Sequence, residues 1–361
     1  MGIGFVITCP DTIAAPSVVV SAFGRMPDGA PVKIFTLRNA NRMVAKVAEY
    51  GATLTELHVP DGKGGTINVT LGFDNLAQYL GRHPAFGATI GRYANRIANA
   101  RFMLDGREVK VTQNSGKNHI HGGKLNFSKL VWSGEVISRK ADSPTVAFNY
   151  TAKDGEEGFP GELKVRVTFS LNDQNELKIH YTATTSKPTV VNLTNHGYYN
   201  FAGTGDILDH ELRLFATTYT VPGPGLIPTG EIAPVKGTGL DFTKPLPIGK
   251  RIKEFYDATG GYDHNYVIDG KPGRLRMAAR IREPKSGRVM EVLTTEPGVQ
   301  LYTLNGAKTD LTGTGGVRYQ RHAGFALETQ HYPDSPNHPH FPSTVLRPGE
   351  TFDSTTVLRF K

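Results

Sequence analysis

The stretch KVRVTFSLNDQNELKIHYTA, residues 164–183, decides the fold class of this chain of 361 residues. Apolar side chains stand at every second position on either side of a polar centre, at Val165, Val167, Phe169 and Leu171 and then at Leu177, Ile179, Tyr181 and Ala183. Alternation with a period of two is typical of a strand with one buried face. The polar residues 172–175 between the two runs predict a hairpin turn.

The same pattern recurs along most of the chain. FMLDGREVKV (102–111) predicts another hairpin, turned at Asp105-Gly106, and RVMEVLTTE (288–296) and TTVLRF (355–360) predict further strands. Helical periodicity is scarce, and NLAQYLG (75–81) is the candidate for a short helix. The chain also has 41 glycines and 23 prolines, which suits many strands joined by turns. We therefore predict an all-β fold, a large antiparallel β-sandwich.

The domain boundaries follow from where this pattern begins. Residues 1–25 precede it and are expected to form a loosely ordered N-terminal extension, and residues 26–361 are expected to form one β-sandwich domain. The Pro/Gly-rich stretch TVPGPGLIPTGE (220–231) is read as a surface loop within that domain, because similar strands continue on both sides.

The charge balance raises the question of a nucleic-acid partner. The chain has 41 Lys+Arg against 33 Asp+Glu, a formal charge of +8, and a pI near 9.4. In RLRMAARIR (274–282) arginines alternate with apolar residues, which places Arg274, Arg276, Arg280 and Arg282 on one face of a strand and Leu275, Met277, Ala279 and Ile281 on the other. A solvated strand face is favoured over a nucleic-acid surface, since no binding motif accompanies the basic residues.

Cysteine content and hydropathy exclude other classes. The single cysteine, Cys9, is unable to form an intrachain disulfide or a cysteine-based metal cage. No apolar run approaches the roughly 20 residues that span a bilayer. The first 24 residues contain no Lys or Arg, so the basic region of a secretory signal is missing and a cytoplasmic protein is expected.

Several short motifs place polar side chains in or beside strands. In NLTNHGYYN (192–200), His196 follows a run, Pro188 to Leu193, that reads as a strand. In ALETQHYPDSPNHPHFPS (326–343), Glu328 stands among apolar residues, where it is either a strand-edge glutamate or a functional carboxyl with a raised pKa. A solvated loop is favoured over a metal site for the later histidines of that motif, His331, His338 and His340.

Two further motifs leave alternatives open. In GRYANRI (91–97), Asn95 and Arg96 are either part of a solvated turn or donors to ligand hydroxyls. In NHIHGG (118–123), His119 and His121 share a face if they lie on one strand, and three roles stay open: metal ligand, structural histidine or ligand contact.

The fragments GYDHNYV (261–267) and EPGVQLYT (296–303) complete a common pattern, with Asp263 and Gln300 beside aromatic or apolar neighbours. Sugars need this combination, because their hydroxyls require directional hydrogen bonds and their C–H faces pack on aromatic rings.

Taken in their order along the chain, over roughly residues 30 to 360, these six motifs resemble the aldose 1-epimerase (galactose mutarotase) family. The resemblance implies a β-sandwich with an open sugar-binding groove, an acid–base isomerase activity on free aldoses, and no cofactor or metal in the chemistry. Two positions depart from the family pattern: Gly197, where serine is common, and Tyr199, where phenylalanine is frequent. Neither departure removes a catalytic group.

The resemblance also implies roles for individual residues. His196 would act as general acid toward the ring oxygen, and Glu328 as general base toward the C1 hydroxyl. For these roles near pH 7, the histidine must keep a proton and the glutamate must be ionised, and a nearby Asp263 would favour the protonated imidazole. The residues implied to contact the sugar are Asn95, Arg96, His121, Tyr198, Asp263 and Gln300.

Two rival functions fit the same fold, since fold alone does not fix function. A non-catalytic carbohydrate-binding protein would need no acid and base in one groove. An epimerase acting on a sugar phosphate would need additional Arg or Lys around the groove, and Arg92 and Arg96 leave that alternative open. The partner is expected to be a small aldose, with no nucleic acid and no membrane, and the protein is expected to be a monomer or homodimer.

Overall fold

The computed structural model describes residues 16–139, 143–306 and 311–361. Within these ranges the strands, in chain order, are β1 (Ser17–Arg25), β2 (Pro31–Arg38), β3 (Val44–Ala48), β4 (Thr53–Pro60), β5 (Thr66–Asn68), β6 (Thr89–Ile90), β7 (Arg96–Ile97), β8 (Arg101–Leu104), β9 (Arg107–Lys110), β10 (His119–Ile120), β11 (Ser133–Ser138), β12 (Thr145–Ala152), β13 (Leu163–Leu171), β14 (Glu176–Thr185), β15 (Thr189–Val190), β16 (Thr194–Asn195), β17 (Tyr198–Tyr199), β18 (Glu211–Leu214), β19 (Thr218–Pro222), β20 (Pro228–Pro234), β21 (Leu246–Pro247), β22 (Asp263–Val267), β23 (Arg276–Arg282), β24 (Val289–Thr294), β25 (Gly298–Tyr302), β26 (Leu311–Thr312), β27 (Arg318–Tyr319), β28 (Phe325–Gln330), β29 (Val345–Leu346) and β30 (Phe352–Phe360).

Helices are few and short in the described residues. The α-helix α1 spans Leu76–Tyr79, and the side chain of Asn75 caps it by accepting the N–H of Gln78. This confirms the predicted short helix. None of the described helices is long and apolar enough to cross a membrane. Single 3₁₀ turns occupy Ala98–Ala100, Phe127–Lys129, Glu156–Gly158, Pro224–Leu226, Ile248–Lys250, Ile252–Phe255, Thr314–Gly316 and Ser335–Asn337.

Three antiparallel sheets make up most of the molecule. The largest has nine strands in the order β11-β12-β13-β14-β30-β24-β23-β18-β21. A six-stranded sheet has the order β17-β28-β25-β22-β19-β20, and a five-stranded sheet has the order β1-β2-β3-β4-β5. Apolar residues from all three sheets pack into one hydrophobic core. The predicted all-β antiparallel sandwich is therefore confirmed.

The hairpin at residues 164–183 is the centre of the nine-stranded sheet. β13 and β14 pair from Leu163↔Thr185 to Leu171↔Leu177, and the predicted polar turn lies between them. On β13 the odd-numbered residues from 163 to 171 are buried while their neighbours are not, so the alternation in the sequence is the alternation between core and solvent. Burying each Val, Leu, Ile or Phe side chain contributes roughly 1.5–3 kcal/mol.

The six-stranded sheet has a different character, because both of its faces are buried near the middle. Val299 and Leu301 on β25 and Phe325 and Leu327 on β28 point into the core. The residues between them point the other way, and Gln300 pairs directly with Glu328 across the two strands. Every residue of β28 is buried. The face turned away from the core is therefore available for polar residues.

The prediction of a loosely ordered extension over residues 1–25 is wrong for Ser17–Arg25. These residues form β1, which pairs with β2 from Ser17↔Arg38 to Arg25↔Pro31. The alternation in β1 is weak because most of its side chains are exposed on an edge strand, with Val19 57% exposed. Residues 1–15, including Cys9, lie outside the described residues.

Two other local predictions need correction. Residues 220–231 are mostly strand, because β19 and β20 pair there and leave only a tight turn. β20 is an edge strand, where proline is tolerated. In β23 a register shift between Met277 and Ala279 buries Ala278 as well as Ala279, and Leu275 precedes the strand and is exposed. Arg280 and Arg282 do lie on the solvated face, paired with Glu291 and Glu211.

Candidate active site

The centre of the site is a buried imidazole–carboxyl pair. Glu328 comes from the face of β28 that points away from the core, and His196 lies between β16 and β17. His196 Nε2 is 3.6 Å from Glu328 Oε1, and the two residues are 5% and 2% exposed. A proton can pass between such groups directly or through one hydroxyl group placed between them.

The backbone around His196 is fixed by a neighbouring segment. His196 donates its N–H to the carbonyl of Ala88 at 2.9 Å and accepts the N–H of Gly87 at 2.9 Å. The Asn195 side chain donates to the carbonyl of Gly87 at 2.8 Å. The imidazole stacks on the ring of Tyr198 at 4.9 Å with an interplanar angle of 14°. The ring therefore has a fixed position and direction.

The strand predicted over Pro188 to Leu193 is mostly absent. Only β15, Thr189–Val190, forms there, and Asn192 instead makes a parallel bridge with Tyr93. The Asn192 side chain also bonds the carbonyls of Ala94 and His331. A run of apolar residues cannot reveal that the chain bends to bring His196 against a different segment.

His121 and Asn95 hold each other in place. His121 donates its N–H to the Asn95 carbonyl at 2.9 Å, and Asn95 donates its own N–H to His121 Nδ1 at 3.2 Å. Both backbones have positive φ, 50° and 60°. The His121 ring lies 5.2 Å from the His196 ring, edge to face. Because Nδ1 accepts a hydrogen bond, Nε2 carries the proton of the neutral ring and is a donor toward the groove.

Arg96, Asp263 and Gln300 form a second polar group beside the pair. Arg96 Nη2 lies 3.3 Å from Asp263 Oδ2, and Arg96 Nη1 donates to Asn95 Oδ1 at 3.2 Å. Gln300 Nε2 donates to Asp263 Oδ1 at 2.5 Å. Asp263 is thus held by partners from two strands, and its position is set before any ligand arrives.

These residues line one groove with a cavity volume of about 730 Å³. Its walls include Asn95, Arg96, His121, His196, Tyr198, Asp263 and Glu328. Gln300 does not line it, and borders instead a small adjoining cavity together with Asn265 and Thr220. The structure therefore brings together seven of the eight predicted site residues in the groove, with the eighth bonded directly to Asp263.

Burial dominates the electrostatics of the pair. Desolvation, followed by the charge of Asp263, raises the pKa of Glu328 to about 8, against a lowering by Arg96. Desolvation lowers the pKa of His196 to about 4. Desolvation and the nearby His196 and Arg96 hold the pKa of His121 well below its usual range. At pH 7, the neutral forms of Glu328, His196 and His121 are therefore favoured.

The expectation that Asp263 would favour a protonated His196 is therefore corrected. Asp263 bonds Arg96 and Gln300 and acts on the pKa of Glu328, whereas His196 is governed by its burial. A protonated His196 beside an ionised Glu328 is therefore not the favoured state of the pair at pH 7. Sequence shows which groups titrate, but the depth of burial requires the fold.

A metal ion is the main alternative use of this group of side chains. Among the described residues, donor atoms of His121, His196 and Glu328 lie within 4.8 Å of one another, and two imidazoles with a carboxylate can bind Zn²⁺. The Asn95 N–H on His121 Nδ1 argues against it, because it leaves Nε2 protonated without a lone pair for a metal. Chemistry without a metal stays a prediction.

The other singled-out histidines have structural contacts. His119 is buried, its Nδ1 lies 2.7 Å from the Thr112 carbonyl, and its ring packs on Phe159. It does not share a face with His121, because the chain turns at His121. His331 pairs with Glu296 at 2.7 Å. His338 and His340 contact the carbonyls of Pro228 and Gly230, so the loop is anchored rather than freely solvated.

Arg92 is also structural. It is 2% exposed, and its guanidinium donates to the carbonyls of Pro160 and Gly161, both at 2.9 Å. Sequence reasoning missed Tyr302, which lines the groove and whose ring is 6.1 Å from that of Tyr198. Tyr302 stands two residues after Gln300 on β25, so the period of two could have identified it.

Gly197 and Tyr199, the two departures from the family pattern, are in contact. A Cβ atom on Gly197 would lie 2.5 Å from the Tyr199 hydroxyl and 2.8 Å from its Cζ. Real Cβ atoms essentially never approach so closely. The phenol of Tyr199 therefore occupies the space into which a side chain at position 197 would extend, and glycine at 197 accommodates it.

The fold and site together define a class, a β-sandwich enzyme that transfers protons to and from a hydroxyl-bearing ligand in a polar groove. The family model "Aldose 1-epimerase" matches residues 33–359. The chain is 46% identical to the galactose mutarotase of Bos taurus over 95% of this chain and 98% of that protein, and 36% identical to the aldose 1-epimerase of Escherichia coli (strain K12) over 92% and 96%.

A solved structure supports the same family. The galactose 1-epimerase of Lactobacillus acidophilus NCFM superposes with a TM-score of 0.85 at 27% identity, covering 96% of this chain and 99% of that one. The chain belongs to the aldose 1-epimerase family.

The contact between positions 197 and 199 predicts a coupled pair of substitutions. We expect Gly197→Ser alone to lower the free energy of unfolding by about 1–3 kcal/mol through overpacking. Tyr199→Phe alone should cost less, and the double variant should recover part of the loss, because it removes the contact with the hydroxyl and keeps the contact with Cζ. Urea denaturation of the four proteins measures the coupling, and additive effects of the two substitutions would show that they do not share this space.

The raised pKa of Glu328 predicts a pH-dependent stability. Because the folded pKa exceeds the ordinary value, the protonated carboxyl stabilises the fold fully below about pH 4.5 and loses that effect as pH rises through about 8. Relative to the wild type, Glu328→Gln should therefore gain stability from pH 5 to pH 9, on the order of 2–4 kcal/mol.

Chemical denaturation at both pH values tests this, with Glu231→Gln as the control at an exposed glutamate. The same pH dependence in the wild type and in Glu328→Gln would contradict a raised pKa.

Proposed function

We propose that the protein interconverts the α and β anomers of free aldohexoses such as glucose and galactose. The observation that carries this proposal is the His196–Glu328 pair, with 3.6 Å between Nε2 and Oε1, buried in a groove lined by hydrogen-bonding side chains. Both relatives named above are mutarotases or aldose 1-epimerases, which supports the same reaction here.

The reaction needs one base and one acid. Glu328 takes the proton of the C1 hydroxyl while His196 gives a proton to the ring oxygen. The C1–O5 bond breaks, O5–H forms, and C1 becomes the aldehyde carbon of the open chain. Rotation by 180° about C1–C2 presents the other carbonyl face, and the two proton transfers then run in reverse as the ring closes.

Burial of the pair favours ring opening. The cyclic sugar is bound to a protonated His196 and an ionised Glu328, and this form has the same number of protons as the pair in which both side chains are neutral. Ring opening moves one proton from His196 to the sugar and one from the sugar to Glu328, which leaves both side chains neutral. Since desolvation favours the neutral forms, the surroundings of the pair stabilise the open-chain stage.

The other groove residues supply the contacts that orient the ring. His121 offers Nε2–H, Arg96 offers guanidinium donors, and Asp263 offers acceptor oxygens. Tyr198 supports the His196 ring by stacking. Sugar contacts by Asn95, Arg96, His121, Tyr198, Asp263 and Gln300 form part of this proposal, as do a monomeric or homodimeric state and a cytoplasmic location.

Polarimetry tests the reaction. Freshly dissolved α-D-galactose or α-D-glucose should reach its equilibrium rotation faster with the wild type. Glu328→Gln and His196→Asn should each lose about 10²–10⁴-fold, the contribution of one positioned acid or base. His180→Asn, at a histidine paired with Asp353 on the nine-stranded sheet, is the control. Binding of sugar without acceleration would favour a non-catalytic carbohydrate-binding protein, and loss of activity with EDTA would favour a metal.

The pH profile of kcat/KM tests the proton assignment. The pair holds one proton between about pH 4 and about pH 8, so the rate should fall on both sides of that window. Asp263→Asn should move the alkaline limb to lower pH. The charge of Asp263 raises the pKa of Glu328, and its removal leaves the charge of Arg96, which lowers that pKa, without its partner. Asp353→Asn is the control at an exposed carboxylate, and an unmoved alkaline limb in Asp263→Asn would contradict the assignment.

A further inference from the structure

The groove is larger than one sugar needs. A hexose occupies roughly 200 Å³, if each of its CHOH groups is given about the 30 Å³ that a water molecule takes in the liquid. The cavity measures about 730 Å³. The side chains described so far surround one part of it. The remaining wall comes from residues 79–85 and from several residues between 114 and 129, together with Tyr50 and Ile90.

This remaining wall carries unneutralised positive charge. Arg82 and Lys129 line the cavity, and neither forms an ion pair with any residue in the described part of the chain. The acidic residues that line the cavity are Asp263, which is paired with Arg96, and Glu328, whose raised pKa keeps it largely protonated at neutral pH. This remaining wall therefore presents two cations that form no ion pair with a described residue, and it presents no anion.

A third donor lies beside these cations. Tyr50 is only 7% exposed and lines the cavity, yet its hydroxyl makes no hydrogen bond to any described residue. A phenol hydroxyl in a cavity wall that bonds no described residue is available as a hydrogen-bond donor to a ligand. Lys129 is held nearby, with its ammonium donating to the Lys124 carbonyl at 2.8 Å, which leaves further N–H groups free.

Backbone contacts place Tyr50 beside the Lys129 segment and two chain steps from the His196 backbone. Gly51 donates its N–H to the Leu130 carbonyl at 2.7 Å, which places Tyr50 beside the Lys129 segment, and the charge of Lys129 acts on His83, the neighbour of Arg82. Thr89 bonds Gly51, and Ala88 bonds His196. At about 5 Å for each step between adjacent chains, Tyr50 lies roughly 10 Å from the His196 backbone.

We propose that Tyr50, Arg82 and Lys129 form an anion subsite, so that the enzyme also accepts aldoses that carry a phosphate or carboxylate group remote from the anomeric carbon. The three groups are all donors, two of them charged, and this is the set that binds an anionic oxygen cluster. The inference rests on the proposed epimerase reaction, because the same His196–Glu328 pair must perform the ring opening. It also gives a use to part of the excess of basic residues.

Exchange NMR between anomers at equilibrium provides the test, because it reports turnover without a fresh single anomer. The substrates are D-galactose, D-galactose 6-phosphate and D-galacturonate. We expect Arg82→Gln and Lys129→Gln to lower kcat/KM for the anionic sugars about tenfold or more, mainly through KM, since one charge-assisted hydrogen bond corresponds to about 1.4 kcal/mol or more. The value for galactose should stay within about twofold.

Lys124→Gln is the matched control, because Lys124 is an exposed lysine on the same segment whose side chain does not line the cavity. Selective loss with the 6-phosphate alone assigns the subsite to phosphate esters, and selective loss with galacturonate alone assigns it to carboxylates. Equal losses for galactose and the anionic sugars would overturn the subsite. Turnover of galactose without turnover of either anionic sugar would overturn it while the proposed function stands, whereas no turnover of any sugar would mean that the proposed function itself fails.

Discussion

The desolvated carboxyl of Glu328 is the constraint on which the rest of the site depends. A carboxylate placed where water cannot reach it costs several kcal/mol unless it is neutralised or hydrogen-bonded. Glu328 has proton sharing rather than a fixed counter-charge, because Arg96, whose charge acts on it, is already paired with Asp263. His196 is then placed 3.6 Å away, so the proton that neutralises Glu328 has another position available to it.

The sandwich makes that placement possible through the two faces of one sheet. The core face of β25 and β28 packs Val299, Leu301, Phe325 and Leu327, which fixes both strands. The alternate residues, Gln300 and Glu328, then point away from the core, Glu328 into the groove and Gln300 into the small adjoining cavity. Apolar packing on the core face thus restricts the movement of both strands. The polar side chains on the opposite face are therefore held in fixed positions.

Much of this architecture is encoded locally, and the rest is not. The period of two predicted β13, β14 and their turn, and a charged residue among apolar ones marked Glu328. The separation of His119 from His121 could not be predicted, because it depends on a positive φ at His121 that the contact with Asn95 maintains. The neutral state of the acid–base pair was also hidden, since desolvation is a property of the assembled fold. β1 was missed because an exposed edge strand leaves little pattern.

The contact between Gly197 and Tyr199 has a consequence for how such a pair can arise by descent. Starting from serine and phenylalanine, losing the side chain at position 197 first is the less crowded route, because a phenol introduced beside a serine would have to occupy the same space. The reverse order passes through a crowded intermediate. Packing at this contact thus favours one order of substitution over the other, and relatives that carry the glycine with phenylalanine would be the intermediates of the favoured path.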